Sequence, residues 1–249
     1  MPEDTNNSCL SAQQKAAALE AIYRFYDEFL TGFPIACSAG CSVCCTNSVS
    51  ATSMEAAYLL QGLSMLPAGG EELLKRAEGM RGEPHFQPST TINTSAALCM
   101  KGKELPEETS PMSFDPCPFL DEEGLCALYG QRPFACRAMS SSTVCKEGGE
   151  ASMEPFLVTV NLAIYQILEH IDRDGFYGNI LDLLPVAAGR IPPSEAQEAV
   201  KTNRALNCFI VPPDETMRFK SFMRRLSKVE TEGGATIGEL LPDDWVILS

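Results

Sequence analysis

Eight cysteines fall into two groups whose spacing suits a metal centre. The first group occupies the stretch CSAGCSVCC with the spacing C-x3-C-x2-C-C, and the second follows at intervals of nine, ten and nine residues. Short gaps let successive thiolates turn back on one centre, as in zinc and iron–sulfur loops. An all-sulfur donor set favours zinc or iron–sulfur over harder ions. The predicted metal ligands are Cys37, Cys41, Cys44, Cys45, Cys117, Cys126, Cys136 and Cys145.

The adjacent pair Cys44 and Cys45 favours a centre with more than one metal atom. Neighbouring side chains diverge, so both fit poorly on one tetrahedral zinc, whereas a polynuclear cluster or two close sites would use them. Alternatively, one of the pair binds the metal and the other forms a hydrogen bond to a ligand. The expected cofactor is therefore an iron–sulfur cluster or iron, with zinc as the alternative.

The other cysteines and the two histidines are expected to have different roles. Cys9, Cys99 and Cys208 stand apart, and an isolated buried cysteine behaves as a small hydrophobic residue. His85 lies in a predicted loop, where it is a conceivable ligand. His170 lies on a predicted helix, where we expect a surface or half-buried side chain.

Two arginines, Arg132 and Arg137, flank Cys136 and are predicted to contact the cofactor. A zinc ion held by four thiolates carries a formal charge of about −2, so guanidinium donors to sulfur would stabilise it. The alternative role for both is an ordinary surface salt bridge in an acidic protein. Four apolar side chains are expected to form a wall around the centre: Phe119, Leu120, Tyr129 and Phe134.

The two cysteine groups together resemble the YkgJ-like cysteine-cluster family, also described as the CxxCxxCC zinc- or iron-chelating domain. The resemblance covers 37–145 and is carried by CSAGCSVCC at 37–45, CPFL at 117–120, GLCALY at 124–129 and RPFACR at 132–137. The first gap has three residues where the family's name has two, and Cys145 stands where a further family cysteine is expected. The resemblance implies a chelated zinc or iron centre with the eight cysteines as ligands, and no single reaction.

Three other functions stay open. The first is a structural zinc module that works by binding a partner. The second is a radical SAM enzyme, because Cys37, Cys41 and Cys44 have its C-x3-C-x2-C spacing, although capped helices flank them and not the repeated strand–helix units of a barrel. The third is a SAM-dependent methylase, because flagellin lysine-N-methylases carry a similar cysteine pattern, although no glycine-rich strand-to-helix turn is visible. Whether the protein is an enzyme is left undecided.

The net charge and the cysteine content limit the partners and the cellular compartment that we expect for this protein. The net charge of −14 would repel nucleic acid and an anionic membrane surface, so we expect neither as a partner. The N-terminal stretch MPEDTNNSCLSAQQ lacks the basic and apolar regions of a secretory signal, and no apolar run is long enough to span a membrane. We therefore expect a cytoplasmic protein with reduced thiols. This compartment, and the odd number of eleven cysteines, disfavour a disulfide framework.

Helices with sequence-encoded caps are expected to position the cysteines. The capping-box pairs Ser11 with Gln14 and Thr52 with Glu55 predict helices on either side of the first group. Further helices are predicted at 71–80, at about 155–172, after Ser194 with Gln197 as its capping partner, and after a cap at Asp214, with strands at 208–211 and 245–248 and an irregular segment at 82–116.

The predicted fold class is mostly α, an irregular helical domain with two cysteine-rich metal-binding loops. We expect 1–249 to form a single domain. Within it, the cysteine-cluster region covers 37–145 and a helical C-terminal part covers 150–249.

Overall fold

The computed structural model describes residues 9–145 and 150–248, so most of the N-terminal stretch used to judge a secretory signal lies outside the described residues. Among the described residues, helices hold most of the regular structure, which confirms the mostly α prediction. None of these helices is long and apolar enough to cross a membrane. The helices are α1 (Ala12–Leu30), α2 (Ser53–Met65), α3 (Gly70–Met80), α4 (Ile92–Met100), α5 (Phe134–Ala138), α6 (Pro155–Ile171), α7 (Ile180–Ala187) and α8 (Thr216–Leu226).

Two small sheets complete the described structure. Strands β1 (Ser50–Thr52), β2 (Phe176–Asn179) and β3 (Lys201–Thr202) form an antiparallel sheet in that order. Strands β4 (Cys208–Ile210) and β5 (Val246–Leu248) pair in parallel, which confirms the two predicted strands. The first sheet was not predicted, because strands of two to four residues are too short to show an alternating pattern. Neither sheet is built from the repeated strand–helix units that the radical SAM alternative requires.

Both predicted capping boxes on either side of the first cysteine group are confirmed. In α1 the backbone N–H of Gln14 donates to Ser11 Oγ at 3.3 Å, and the Gln14 side chain accepts from Ser11 N–H at 2.9 Å. In α2 the backbone N–H of Glu55 donates to the Thr52 hydroxyl at 3.3 Å, and the Glu55 carboxylate accepts from the Thr52 N–H at 2.8 Å. These local contacts fix where each helix begins.

The expectation of an irregular 82–116 is wrong in part, because α4 lies within it. Its first turn holds Asn93, Thr94 and Ser95, which favour helices weakly. Long-range bonds offset that weakness. The buried Asn93 donates its backbone N–H to Glu169 at 2.7 Å and its side-chain amide to the carbonyl of Gln166 at 2.9 Å.

Helix assignments in the C-terminal part are also corrected. The helix expected after Ser194 is only the 3-10 turn Pro193–Glu195, followed by β3, which pairs with β2. Helix α7 was missed, because Pro185 lies inside it and proline usually marks a helix boundary. Asp214 lies in the 3-10 turn Pro213–Glu215 before α8 and does not cap that helix.

Two hydrophobic clusters hold the cysteine-bearing segments in place. The larger one joins α1, α6 and α8 and includes Phe134, which is fully buried. The smaller one joins α2, α3 and α7 and includes Phe119 and Leu128. The second cysteine group is therefore anchored to both clusters by the apolar residues between its cysteines.

His85 is buried and forms hydrogen bonds through both ring nitrogens. Nδ1 lies 2.8 Å from the carbonyl oxygen of Glu83, and Nε2 lies 2.9 Å from a carboxylate oxygen of Asp182. Both of these partners are acceptors, so the arrangement favours the doubly protonated ring. The bond to Asp182 raises the pKa of His85.

His170 is buried as well, at 6% exposure, which corrects the expectation of a surface or half-buried side chain. Its Nδ1 accepts from the backbone N–H of Leu206 at 3.2 Å, and its Nε2 donates to the carbonyl of Leu240 at 3.1 Å. Burial lowers the pKa of His170 to about 4, so this ring is neutral.

The two histidines predict opposite pH dependences of stability. Because the pKa of His85 is raised above 6.5, its ion pair stabilises the fold fully below pH 6.5 and is lost as the pH rises through the raised value. The variant His85→Gln should lose on the order of 1–3 kcal/mol of unfolding free energy at pH 6. This difference from wild type should shrink toward pH 9 in urea denaturation.

The matched control is His170→Gln, for which the sign reverses. Its neutral ring contributes above pH 6.5, and that contribution is lost as the pH falls toward about 4. Differences from wild type that do not change with pH would contradict the two charge states.

Candidate metal centre

All eight predicted cysteine ligands line one cavity of about 250 Å³. They come from the loop 37–45 between α1 and β1, from the segment 117–126, and from α5 and the residues after it. All eleven cysteines are free thiols, and Cys9, Cys99 and Cys208 do not line this cavity. The structure thus brings the two cysteine groups together, and metal binding by them stays a prediction.

Two tight turns shape the first cysteine loop. The N–H of Cys41 donates to the carbonyl of Ser38 at 3.0 Å, and the N–H of Cys45 donates to that of Ser42 at 2.9 Å. Gly40, inside the first turn, has a φ of 81°, a left-handed conformation that glycine adopts without strain. The turns direct several thiols of one short loop toward the same cavity.

Backbone contacts join the first loop to the second group. The N–H of Cys117 donates to the carbonyl of Cys45 at 3.0 Å. The loops also touch at Gly124, where a Cβ atom would lie 3.1 Å from Ser42 Oγ, and where φ is 76°. Close approach and backbone conformation therefore both require glycine here.

The segment 117–126 is a small hairpin closed by Asp121. Its carboxylate accepts from the N–H groups of Glu123 at 3.1 Å and Leu125 at 2.7 Å. An aspartate that bonds the backbone ahead of it in this way stabilises a turn. Leu120 pairs with Cys126 across the hairpin. This pairing brings Cys126 back toward Cys117, and both cysteines line the cavity.

Arg76 holds the hairpin against α3 and was not identified from the sequence. Its guanidinium donates to the carbonyl of Pro118 and, at 2.9 Å, to that of Leu120. Its positive charge also opposes the effect of burial on the pKa of Cys117. No local pattern links an arginine on α3 to a loop more than 40 positions later.

Helix α5 carries Cys136 and begins at the buried carboxylate of Glu55. Glu55 accepts from the N–H of Phe134 at 2.7 Å and from the hydroxyl of Tyr23 at 2.8 Å. Burial raises the pKa of Glu55 against these bonds. Glu55, which completes the capping box of α2, therefore also fixes the start of α5 and the position of Cys136.

The thiols of the cavity differ in acidity. Hydrogen bonding between the adjacent thiols of Cys44 and Cys45 lowers the pKa of Cys44 and raises that of Cys45. Burial raises the pKa of Cys117 to about 11 and also raises those of Cys126 and Cys136. Since metals bind thiolates, loading this cavity would release protons.

Arg137 lines the cavity, but its charge already has a partner. It is buried at 6% exposure, and it donates to the Asp27 carboxylate at 2.7 Å. It also donates to the carbonyl of Gly130, and its guanidinium carbon lies 4.1 Å from the centre of the Tyr23 ring. Its observed role is to tie α1 to α5.

Arg132 also lines the cavity and lies over the exposed ring of Tyr129, 3.7 Å from its centre. It donates to the carbonyl of the same residue at 2.7 Å. Its charge lowers the pKa values of Cys126 and Cys136, against the stronger effect of burial. Of the two arginines predicted from the sequence, Arg132 is therefore the one whose charge acts on the thiols.

The expected apolar wall forms in part. Leu120 and Tyr129 line the cavity, whereas Phe119 and Phe134 are buried in the two hydrophobic clusters and do not line it. These two phenylalanines anchor the segments that carry the cysteines. They do not shield the sulfurs directly.

The start of the serine run before Cys145 is anchored to the rest of the fold. Ser141 is 1% exposed, its carbonyl accepts from Ala36 N–H at 2.8 Å, and its hydroxyl accepts from Ser152 N–H at 3.0 Å. Ser140 lines the cavity and is 5% exposed. Its hydroxyl oxygen has no hydrogen-bond partner among the described residues.

The donor chemistry fits a sulfur-bound metal, although the ligand shell is not closed. Within 9–145 and 150–248, no group of three or more histidine, cysteine, aspartate or glutamate side chains is arranged to hold a metal as it stands. Yet eight thiols and the unpartnered hydroxyl of Ser140 line the cavity, and no carboxylate of the described chain does. Coordination would require the thiols to close in on the metal.

Comparison of the chain with protein-family models, curated proteins and solved structures returns no match. The resemblance to the YkgJ-like family therefore stays a prediction. A functional proposal has to rest on the cavity and its residues.

Replacing Arg76 with alanine should loosen the hairpin, because two carbonyls lose their charged donor. Since Arg76 is exposed, we expect a loss of about 1 kcal/mol in unfolding free energy. Hydrogen exchange of the Asp121 and Ala127 amides, which are bonded within the hairpin, should become faster. The control is Lys75→Ala on the same helix, whose nearest partner is Glu71 at 3.9 Å. Equal exchange in both variants would contradict the role of Arg76.

Proposed function

We propose that this protein binds an iron–sulfur cluster, or iron, through its clustered cysteines and serves a redox or regulatory role. The observation that carries the proposal is the convergence of eight thiols on one cavity from segments far apart in sequence. Thiolate ligands select iron–sulfur clusters and zinc among common protein metals. The resemblance to the YkgJ-like family supports the same ligands.

Different residues would have different roles in binding such a centre. The eight cysteines would supply thiolates, and the neighbouring Cys45 thiol favours the thiolate form of Cys44. Arg132 would offset the negative charge of the thiolates, and Ser140 would donate its free hydroxyl to a sulfur. When bound, an iron centre supplies electron-transfer chemistry.

A structural zinc site is the second candidate, and one observation favours it. The cavity lies where the loop 37–45, the hairpin 117–126 and the segment after α5 meet, all of which are largely irregular. A closed zinc site would tie these segments together and supply folding free energy on the order of 10 kcal/mol.

Metal content of anaerobically purified protein separates the two candidates. We expect brown protein that releases acid-labile sulfide and gives an electron paramagnetic resonance signal on reduction. The variants Cys41→Ala and Cys136→Ala should lose most of the metal and melt at a lower temperature, since the loops lose their anchor. Cys9→Ala is the control and should change neither property.

Colourless protein with stoichiometric zinc would replace the first candidate by the second. Full metal content and an unchanged melting temperature in Cys41→Ala would remove the first loop from the site.

Ser140 offers a test that separates metal binding from folding. Because its hydroxyl has no partner in the described structure, Ser140→Ala should leave the stability of metal-free protein within about 0.5 kcal/mol. If the hydroxyl supports the bound centre, the variant should lose metal to a chelator with an apparent affinity about tenfold weaker. The control is Ser142→Ala, an exposed serine that donates to the carbonyl of Ser152. Identical chelator curves for all three proteins would exclude this role.

A further inference from the structure

A second cavity, of about 360 Å³, borders the cysteine cavity. The two share Cys44, Cys45 and Cys136 among their lining residues. The rest of the second wall includes side chains of α6 and β2, namely Tyr165 and Tyr177. The sulfurs therefore lie next to a space that the metal proposal does not use.

The wall of this second cavity is apolar and aromatic. Phe86, Met112 and the two tyrosines supply rings and a thioether, and none of the lining residues carries a charged Asp, Glu, Lys, Arg or His side chain. An anionic ligand would lose its hydration there without gaining a cationic partner. Rings and thioethers pack well against a flat aromatic molecule.

Of the four hydroxyl groups that line this cavity, one is left for a ligand. The Ser48 hydroxyl donates to the carbonyl of Ser113 at 2.8 Å, and the hydroxyl of Tyr177 bonds to Ser50. The hydroxyl of Tyr165 has no hydrogen-bond partner within the part of the chain that the structure describes. The Tyr165 ring itself is fixed, because it packs edge-on against Phe134 with 4.8 Å between the ring centres.

We propose that this cavity binds a small, neutral aromatic molecule through one oxygen that accepts a hydrogen bond from Tyr165. Its volume lies within the usual range of small-molecule sites, roughly 300–1,000 Å³. The proposal goes beyond metal binding and stands on side chains other than the cysteines. It would place an organic ligand beside the sulfur centre, which a purely structural metal does not need.

Acetophenone is a suitable probe, because it is a neutral ring with one carbonyl oxygen. On full-length protein of measured metal content, calorimetric titration should give a Kd of about 1 mM or tighter. Benzoate has a similar size and shape but carries a charge, so it should bind at least tenfold more weakly.

Two variants locate the binding site. Tyr165→Phe keeps the ring and removes the hydroxyl, so it should weaken acetophenone binding about tenfold. Met112→Trp adds bulk at a lining residue that is 56% exposed and tolerates size, so it should abolish binding. Met217→Trp is the control, at a residue that is 78% exposed and lines neither cavity.

The titration tests the ligand site, and metal analysis tests the metal proposal, so the failure of one can be told from the failure of the other. Absence of acetophenone binding, equal binding of benzoate, or unchanged binding in both Tyr165→Phe and Met112→Trp would overturn the ligand site while the metal proposal stands. Binding with the expected losses in protein that holds no metal would support the ligand site and count against the metal proposal.

Discussion

The buried carboxylate of Glu55 is the interaction on which the arrangement of the cysteines depends. It is 3% exposed, and a carboxylate so far from water is tolerated only when donors surround it. Those donors come from three places: the cap of α2 at Thr52, the hydroxyl of Tyr23 on α1, and the first N–H of α5 at Phe134. Each element therefore satisfies a charge that the others help to bury. Cys136 sits two residues after that N–H, so its position depends on the same carboxylate.

The cysteine segments are held by contacts that do not involve sulfur. Arg76 fixes the hairpin, the ion pair of Arg137 with Asp27 ties α5 to α1, and the carbonyl of Ser141 holds the entry to the first loop. These contacts bring the thiols close together independently of a metal. Metal binding therefore costs less conformational entropy than it would if the metal itself had to bring the segments together.

What the sequence predicts well is what short-range contacts determine. The capping boxes at Ser11 and Thr52 and the spacing of the cysteines are local patterns, and local geometry decides them. Helix α4 is not predicted from the sequence, because the hydrogen-bond partners of Asn93 lie on α6. The three-stranded sheet is not predicted either, because its strands are very short. For the same reason the sequence does not reveal that Glu55 has a second partner on α5. Long-range hydrogen bonds leave no periodic trace in the chain.

The order of the three cysteine segments has a consequence for how the protein is made. Positions 37 and 145, at the two ends of the set, are separated by 108 residues, the difference of their numbers. At roughly 5–20 residues per second of translation, the first loop leaves the ribosome about 5–20 s before the last cysteine does. For most of that interval the four closely spaced thiols of the first loop have neither the hairpin nor α5 beside them. A growing chain is thus most open to oxidation or to capture of a wrong metal before its synthesis is complete.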